Sequence, residues 1–531
     1  MPIFIGDLNQ SEYETSEVKK LKHIQETRNL KPGDIVEFFG HAVRWDADCV
    51  TEDNCLRWRR VGDPLCDDAL QLIFTSPSAS AGKDLLECLQ QYVSTNPGPN
   101  AATIFLGDLN QIPPNSLIAS QSQVEAGRRL FLDHAALIMQ ALLHYSLAAG
   151  FASARITRTL HAVSYLVPPH ESTSQASSDR IYTRLLETFQ FVLDIMGCTP
   201  TPPAPSFGSN IEIKPVKEPP QRRAGTLEYL LPRGEGWKSA VRVRMLHGVA
   251  RRRATERWNK LKMRDAGYDE ELDIPISQED MSATLASFCI IPLWCLHRLG
   301  LYPDPMQTEA FLAVWRHVGF YLGVSPSILR RYFTSTSAAD KFLASIVLDL
   351  FSSDDNAPPD IGPIPTMPIL RAISGRPPGN SSLEHNCAVT RCLVGFELAD
   401  HLGVPETRVI TKLKLHATFL LYKIPIWFSW WYPRKQWAVT RREVLSEGMA
   451  RSVRWNLGMR RTNFRPRGNV IKNEGLDDGQ IEELERVIPD PEGGMALVRK
   501  WREMLAEMIG VCLGVVCVGL GGLYFGTRMF L

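Results

Sequence analysis

Fifteen residues, Ser239 to Arg253 (SAVRVRMLHGVARRR), hold five arginines, yet their small and apolar residues return every three or four positions. On a 3.6-residue helix Ala240, Val243, His247, Ala250 and Ala254 form one stripe, whereas a strand would scatter them over both faces. The segment is therefore expected as part of a basic helix, Lys238 to Lys262, whose stripe other parts of the chain must bury. The same period recurs elsewhere. Leu137, Ala141, His144 and Ala148 share a face in the segment from Phe131, and Arg180 to Gly197 is amphipathic and ends in Gly. Ser277 with Asp280 resembles a capping box opening a helix to Arg298, and Thr308 to Leu322 stops before Gly323 and Pro326. Helices resume from His385. Runs of alternating β-branched residues are scarce, so the expected fold is all-α.

With 531 residues, 44% hydrophobic and 22% charged, the chain can bury a large core. These values exclude a disordered chain, a collagen, a coiled-coil rod and a polytopic transporter. The net charge of +1 is a cancellation, since thirteen Lys or Arg lie between Arg222 and Arg264 and acidic stretches such as Glu474 to Glu485 offset them. A basic helix can grip nucleic acid or anionic lipid. Here the apolar stripe claims one face, and no nucleic-acid partner is expected. Eleven cysteines, none in a CxxC pair, give no disulfide framework and favour a reducing compartment. No HExxH, GxSxG or Walker motif is present. An echo, IFIGDLNQ at Ile3 to Gln10 and IFLGDLNQ at Ile104 to Gln111, lacks the carboxylate and histidine motifs of a metal-dependent phosphoesterase and reads as coincidence or a small duplication.

Met508 to Gly526 carries no charge and as a helix spans about 28 Å, enough for a bilayer core. Arg499, Lys500 and Arg502 precede it and Arg528 follows, so the expected arrangement is a C-terminal tail anchor with the body in the cytosol, most often at the endoplasmic reticulum. The alternative is a buried C-terminal helix, which its six glycines would weaken. Met1 to Gln10 lacks the pattern of a secretory signal peptide. Phe419 to Trp431 (FLLYKIPIWFSWW) fits either a membrane interface, with Arg434 and Lys435 at headgroup level, or the aromatic-packed end of a core helix.

Two stretches carry chemistry. His247 stands on the apolar stripe beside Gly248 and other small residues, which leaves room for a large flat group. Arg244 and Arg251 lie one turn either side, where guanidinium groups meet carboxylates well. Arg155, Arg158 and Thr159 stand at i, i+3 and i+4 after Ala148-Ala149-Gly150, a polar lid over a hydrophobic pocket. The bland alternatives are a satisfied core histidine and a solvated arginine face.

The motifs Arg155-Ile-Thr-Arg158-Thr159, Arg242-Val-Arg244-Met-Leu-His247-Gly-Val-Ala-Arg251 and Ile276-Ser-Gln278-Glu279-Asp280-Met281, in that order, resemble the ER-bound oxygenase (MpaB-type) and rubber oxygenase catalytic domain family, which includes the latex clearing proteins. GDPL at Gly62 to Leu65 and WRHVG at Trp315 to Gly319 suit its fungal branch, and the likeness runs roughly from Asp63 to Leu350. The resemblance implies a globin-like helical core holding haem b, with His247 as the iron ligand. Arg244 and Arg251 would face the haem propionates, and Arg155, Arg158 and Thr159 would line the distal pocket. It also implies a distal glutamate on the preceding helix. Between Phe131 and Gly150 this chain has none, only Asp133, His134, Gln140 and His144, of which His144 faces the pocket on the helical reading. His317 and His416 are further candidate ligands.

The implied activity is oxidative cleavage of a carbon–carbon double bond in an isoprenoid-like hydrophobic substrate with O2. The rival readings are an ER-membrane scaffold that keeps the fold without the cofactor, and a basic-helix binder of nucleic acid or anionic lipid. The expected organisation is an N-terminal extension (1–125), a catalytic helical domain (126–350), a Pro/Gly-rich loop (351–383), a second helical region (384–460), a polar linker (461–507) and the anchor (508–526).

Overall fold

Numbered in chain order, the helices that build the site are α1 (Pro64–Ile73), α2 (Gln121–Asp133), α3 (Ala135–Ala141), α4 (Ala154–Val163), α5 (Gln175–Ile195), α6 (Glu235–Lys262) and α7 (Gln278–Arg298). Around and after them come α8 (Pro305–Tyr321), α9 (Thr336–Phe351), α10 (Leu383–Val394), α11 (Val409–Trp431), α12 (Lys435–Asn456) and α13 (Pro491–Phe530). This computed structural model describes residues 8–163, 175–198, 225–262, 273–351, 366–377, 379–467 and 489–530. Helix accounts for 72% of the described residues and strand for 3%, as the sequence period requires. The strand content is one small sheet near the N-terminus. It has the order β1 (Val18–Lys20), β2 (Ile35–Phe38), β3 (His41–Arg44), with β1 parallel and β3 antiparallel to β2.

The core is organised on α7. Its side chains are buried almost without interruption from Gln278 to Leu296, against α3, α8 and α9. Two glycines let neighbouring elements pack closely. A Cβ on Gly127 of α2 would come within 2.9 Å of the Ala310 carbonyl, and one on Gly319 of α8 within 2.4 Å of Leu285 Cδ2. A single hydrophobic cluster runs from Leu21 to Phe464, so the N-terminal residues share one core with the helices after residue 126.

Several expectations change here. The segment from Phe131 is not one helix, because the chain turns through 84° at His134 between α2 and the next helical stretch. After α3 the winding widens into a π-turn, Leu142–Leu147. Within the expected Pro/Gly-rich loop, Thr366–Ile373 is helical and buries Ile369 and Leu370; Pro368 sits in its first turn, where no amide hydrogen is needed. The Pro-rich residues 199–223 and the acidic run 474–485 lie outside the described residues. So do residues 3–7 of the first GDLN copy; the second copy is helical as far as Leu109, with Asn110 as the helix cap.

Met508 to Gly526 continues α13 without a break, though side chains from Gly519 onward lie outside the described residues. Among the described residues one helix, α7, is long and apolar enough to cross a membrane, and it is mostly buried inside the protein. α7 is therefore a core helix.

Candidate functional site

Helix α6 is held in place by its arginines. Arg242 pairs with Asp84 at 2.5 Å. Arg244 grips Asp63 through two bonds of 2.6 and 3.0 Å, touches Asp108 at 3.0 Å, and lies over the Phe105 ring. Arg251 pairs with Asp67 at 2.5 Å and donates twice to the Ile276 carbonyl. Arg252 donates to the Phe74 and Thr75 carbonyls, Arg253 to those of Pro77 and Arg467, and Arg257 to those of His161 and Ala162. A buried guanidinium needs such partners, since an unpaired buried charge costs several kcal/mol. The expectation that Arg244 and Arg251 reach haem propionates is thus corrected: their carboxylates come from the N-terminal segment of the same chain. The space expected beside Gly248 is also filled. A Cβ there would meet Leu70 Cδ1 at 2.7 Å and Cys66 Sγ at 2.9 Å, so this glycine lets α1 seat closely on α6.

His247 keeps a different character. The residue is only partly buried, while Nδ1 is enclosed without a hydrogen-bond partner. Burial, helped by Arg251 and Arg184 and opposed by Asp63, pushes its pKa down to about 4. At neutral pH the ring is an uncharged imidazole with an unsatisfied nitrogen, the form that binds metals. It is not the satisfied core histidine of the bland alternative. That description belongs to His317, whose Nδ1 accepts from the Ala119 amide and whose Nε2 donates to the Leu230 carbonyl. His416 is exposed.

Helix α6 packs against α4 on one side and α5 on another. Arg155 on α4 is clamped by Glu279 at 2.8 Å and Asp280 at 3.0 Å. Thr159 is buried and donates to the Arg155 carbonyl at 3.2 Å, and Arg158 is half-buried and partnered. The three residues lie on one helix, α4, which packs on α6. His144 is fixed elsewhere, in the π-turn that packs on α7 and α10. Its Nδ1 lies 2.9 Å from Thr390 Oγ1, and that hydroxyl donates to the Asn386 carbonyl. The pattern assigns the proton to Nδ1 and leaves a lone pair on Nε2. Burial pushes the His144 pKa down to about 3, with His385 adding to the effect. Of the other polar residues before Gly150, Asp133 pairs with Arg442 at 2.7 Å and His134 Nδ1 lies 3.1 Å from the Leu130 carbonyl, while Gln140 Oε1 is buried and unpartnered.

Two clusters were missed from sequence. Gln278 donates to the Gly62 and Gly323 carbonyls and accepts from the Ser325 amide, tying three segments at the start of α7. Next to it Glu279, wholly buried, converges with Cys55 and Asp349 to within 4.8 Å. Arg59 and Arg155 neutralise that group, and burial still raises the Glu279 pKa. The visible signal was the motif itself, whose polar residues open an otherwise apolar helix.

The sequence profile of the family described as ER-bound oxygenase mpaB/B'/Rubber oxygenase, catalytic domain, matches residues 124–421. The chain belongs to this family. It is an oxygenase by that membership. A solved structure of latex clearing protein in the closed state is similar at 20% identity and a TM-score of 0.46, over 74% of this chain and 90% of that one. No curated protein matches the chain significantly. Within the oxygenase fold, the Ile276–Met281 motif is a structural knot: Ser277 and Asp280 form the capping box, and the Met281 sulfur lies 3.7 Å from Arg251.

Proposed function

We propose that this oxygenase is haem-dependent and cleaves a carbon–carbon double bond in an isoprenoid-like hydrophobic substrate. The observation that carries the reading is His247, an uncharged imidazole whose buried Nδ1 has no partner. Those properties fit an iron ligand. When bound to a neutral imidazole, haem iron supplies dioxygen activation. The chain's residues supply the rest. The arginine staples hold α6 rigid, so His247 keeps one orientation. Glu279 and Asp280 hold Arg155 and thereby α4, the helix that also carries Arg158 and Thr159 and packs on α6. His144, the polar residue that the sequence offers where a distal glutamate is missing, is held by Thr390 with a lone pair on Nε2, and since burial disfavours its protonated form it serves there as a hydrogen-bond acceptor. Family membership supports the oxygenase chemistry, and the fungal-branch motifs and a globin-like core are part of the same reading.

A substrate of this class partitions into lipid, at about 0.8 kcal/mol per buried methylene. The uncharged run after Met508 then acts as a tail anchor in the endoplasmic reticulum membrane, with the body in the cytosol. Support comes from Ile509, Leu513, Val515, Val516 and Val518, all exposed in a helix that continues past its packed part. Recovery of the full chain in the soluble fraction without detergent would overturn the anchor.

The haem reading is tested by absorption spectra of the purified chain after haem supplementation, oxidised and reduced. A Soret band is expected, and it should vanish in His247→Ala while the far-UV circular dichroism is kept. No band, or an undiminished one in the variant, returns the chain to the scaffold reading.

A further inference from the structure

Helix α11 buries one stripe and exposes another. Thr411, Leu415, Phe419, Ile426 and Phe428 face inward. On the outer side Leu413 is 69% exposed, Leu421 65%, Trp430 53% and Trp431 53%, with Ile410 and Leu420 also exposed. Soluble proteins seldom leave a contiguous apolar face of this length open to water. The helix has no Asp or Glu, but carries Lys412, Lys414 and Lys423, with Arg434 and Lys435 just beyond its end. Basic residues bordering an apolar, tryptophan-rich face are what an anionic lipid surface attracts.

The position of the face points to the same partner. At its tryptophan end, Phe428 packs with Trp437 of α12 and with Met504 and Met508 of α13. Tyr432 donates to Glu507 at 2.6 Å, and Arg434 pairs with the same carboxylate at 3.0 Å. Glu507 is the last charged residue before the uncharged run. The open face of α11 and the root of that run therefore meet at one place in the fold.

We propose that α11 is a membrane-contact helix whose outer face lies on an anionic phospholipid surface. This deepens the anchor reading but rests on the exposed face, not on the anchor. α11 lies flat, its tryptophans sit at headgroup depth and its lysines meet lipid phosphates. The body is then held in one orientation, which a single spanning helix would leave free to swing.

The test uses the full chain in phosphatidylcholine vesicles with and without phosphatidylserine. An environment-sensitive fluorophore is attached at Leu421→Cys, in a Cys512→Ser/Cys517→Ser background, and in a second sample at the native Cys517. Leu421 is exposed, so its replacement leaves the core intact. The Leu421→Cys probe is expected to shift to the blue and lose most of its emission to a shallow doxyl-lipid quencher, more so with phosphatidylserine. An unquenched probe there, while Cys517 is quenched by deep doxyl lipid, overturns the inference and leaves the anchor standing. Quenching at Leu421→Cys but not at Cys517 supports the membrane-contact face and removes the anchor. A blue-shifted probe before any vesicle is added, or cross-linking of two Leu421→Cys chains, overturns it in favour of a second copy on the face.

Discussion

A buried arginine is tolerable only with a carboxylate in register, and Asp63 shows how much one side chain can carry. It caps α1 through the Cys66 amide and holds Arg244 through both oxygens. Asp63→Ala is expected to cost about 3–5 kcal/mol, read as a lower urea midpoint, because it strands a guanidinium in the interior. An unchanged midpoint would mean Asp108 alone satisfies Arg244. His317 gives a pH prediction. Its folded pKa is pushed down to about 4 by burial, against an unfolded value near 6.5. Its contribution is complete above the unfolded value. As pH falls from there towards 4, the unfolded chain takes up a proton that the folded chain refuses, so stability is lost. His317→Gln should flatten stability against pH in that window by about 1.4 kcal/mol per pH unit. Equal slopes in urea titrations of the two chains would rule this out. At this scale the residue types were legible in the sequence, but their partners were not. Arg244 and His247 stand three residues apart on one helix, and only the fold reveals that Asp63 claims the first while the second is left open.

Elements were legible where the period was unbroken. α5, α6, α7 and α8 fall within a few residues of their expected bounds because apolar residues recur every three or four positions and caps mark the ends. The sheet was missed because strands of three or four residues are too short to establish an alternation. The turn at His134 and the π-turn after α3 were missed because both occur inside a run whose composition stays helical. They matter, since the π-turn sets His144 onto Thr390. Gln278 does for elements what Asp63 does for residues. It joins the loop before α1, the loop after α8 and the start of α7 through one buried amide. Gln278→Ala leaves two carbonyls and one amide unsatisfied, at about 1–3 kcal/mol for each group left without water. Thermal denaturation should show a loss of several degrees, with the helical circular dichroism unchanged. A variant as stable as the parent would mean that water replaces the side chain.

Across the whole molecule the near-zero net charge acquires a spatial meaning. The basic block was expected to be offset by distant acidic runs. Among the described residues Arg242, Arg244 and Arg251 are matched at contact by Asp84, Asp63, Asp108 and Asp67, all from the first 120 residues. Composition held the balance, but no periodicity or spacing could assign the pairs, whose members lie more than a hundred residues apart. The consequence is that the region matching the oxygenase family does not stand alone. A chain starting at Gln121 keeps all of the matched residues, 124–421. It would nonetheless leave three largely buried arginines without their carboxylates and strip α1 from the Gly248 face of α6. Each broken buried pair costs about 3–5 kcal/mol, and a whole protein has only about 5–15 kcal/mol to lose. The truncated chain is therefore expected to show no cooperative urea transition and no near-UV circular dichroism, while the full chain shows both. A cooperative transition in the truncated chain would mean that the arginines of α6 find water or new partners, and that the first 120 residues are an appendage after all.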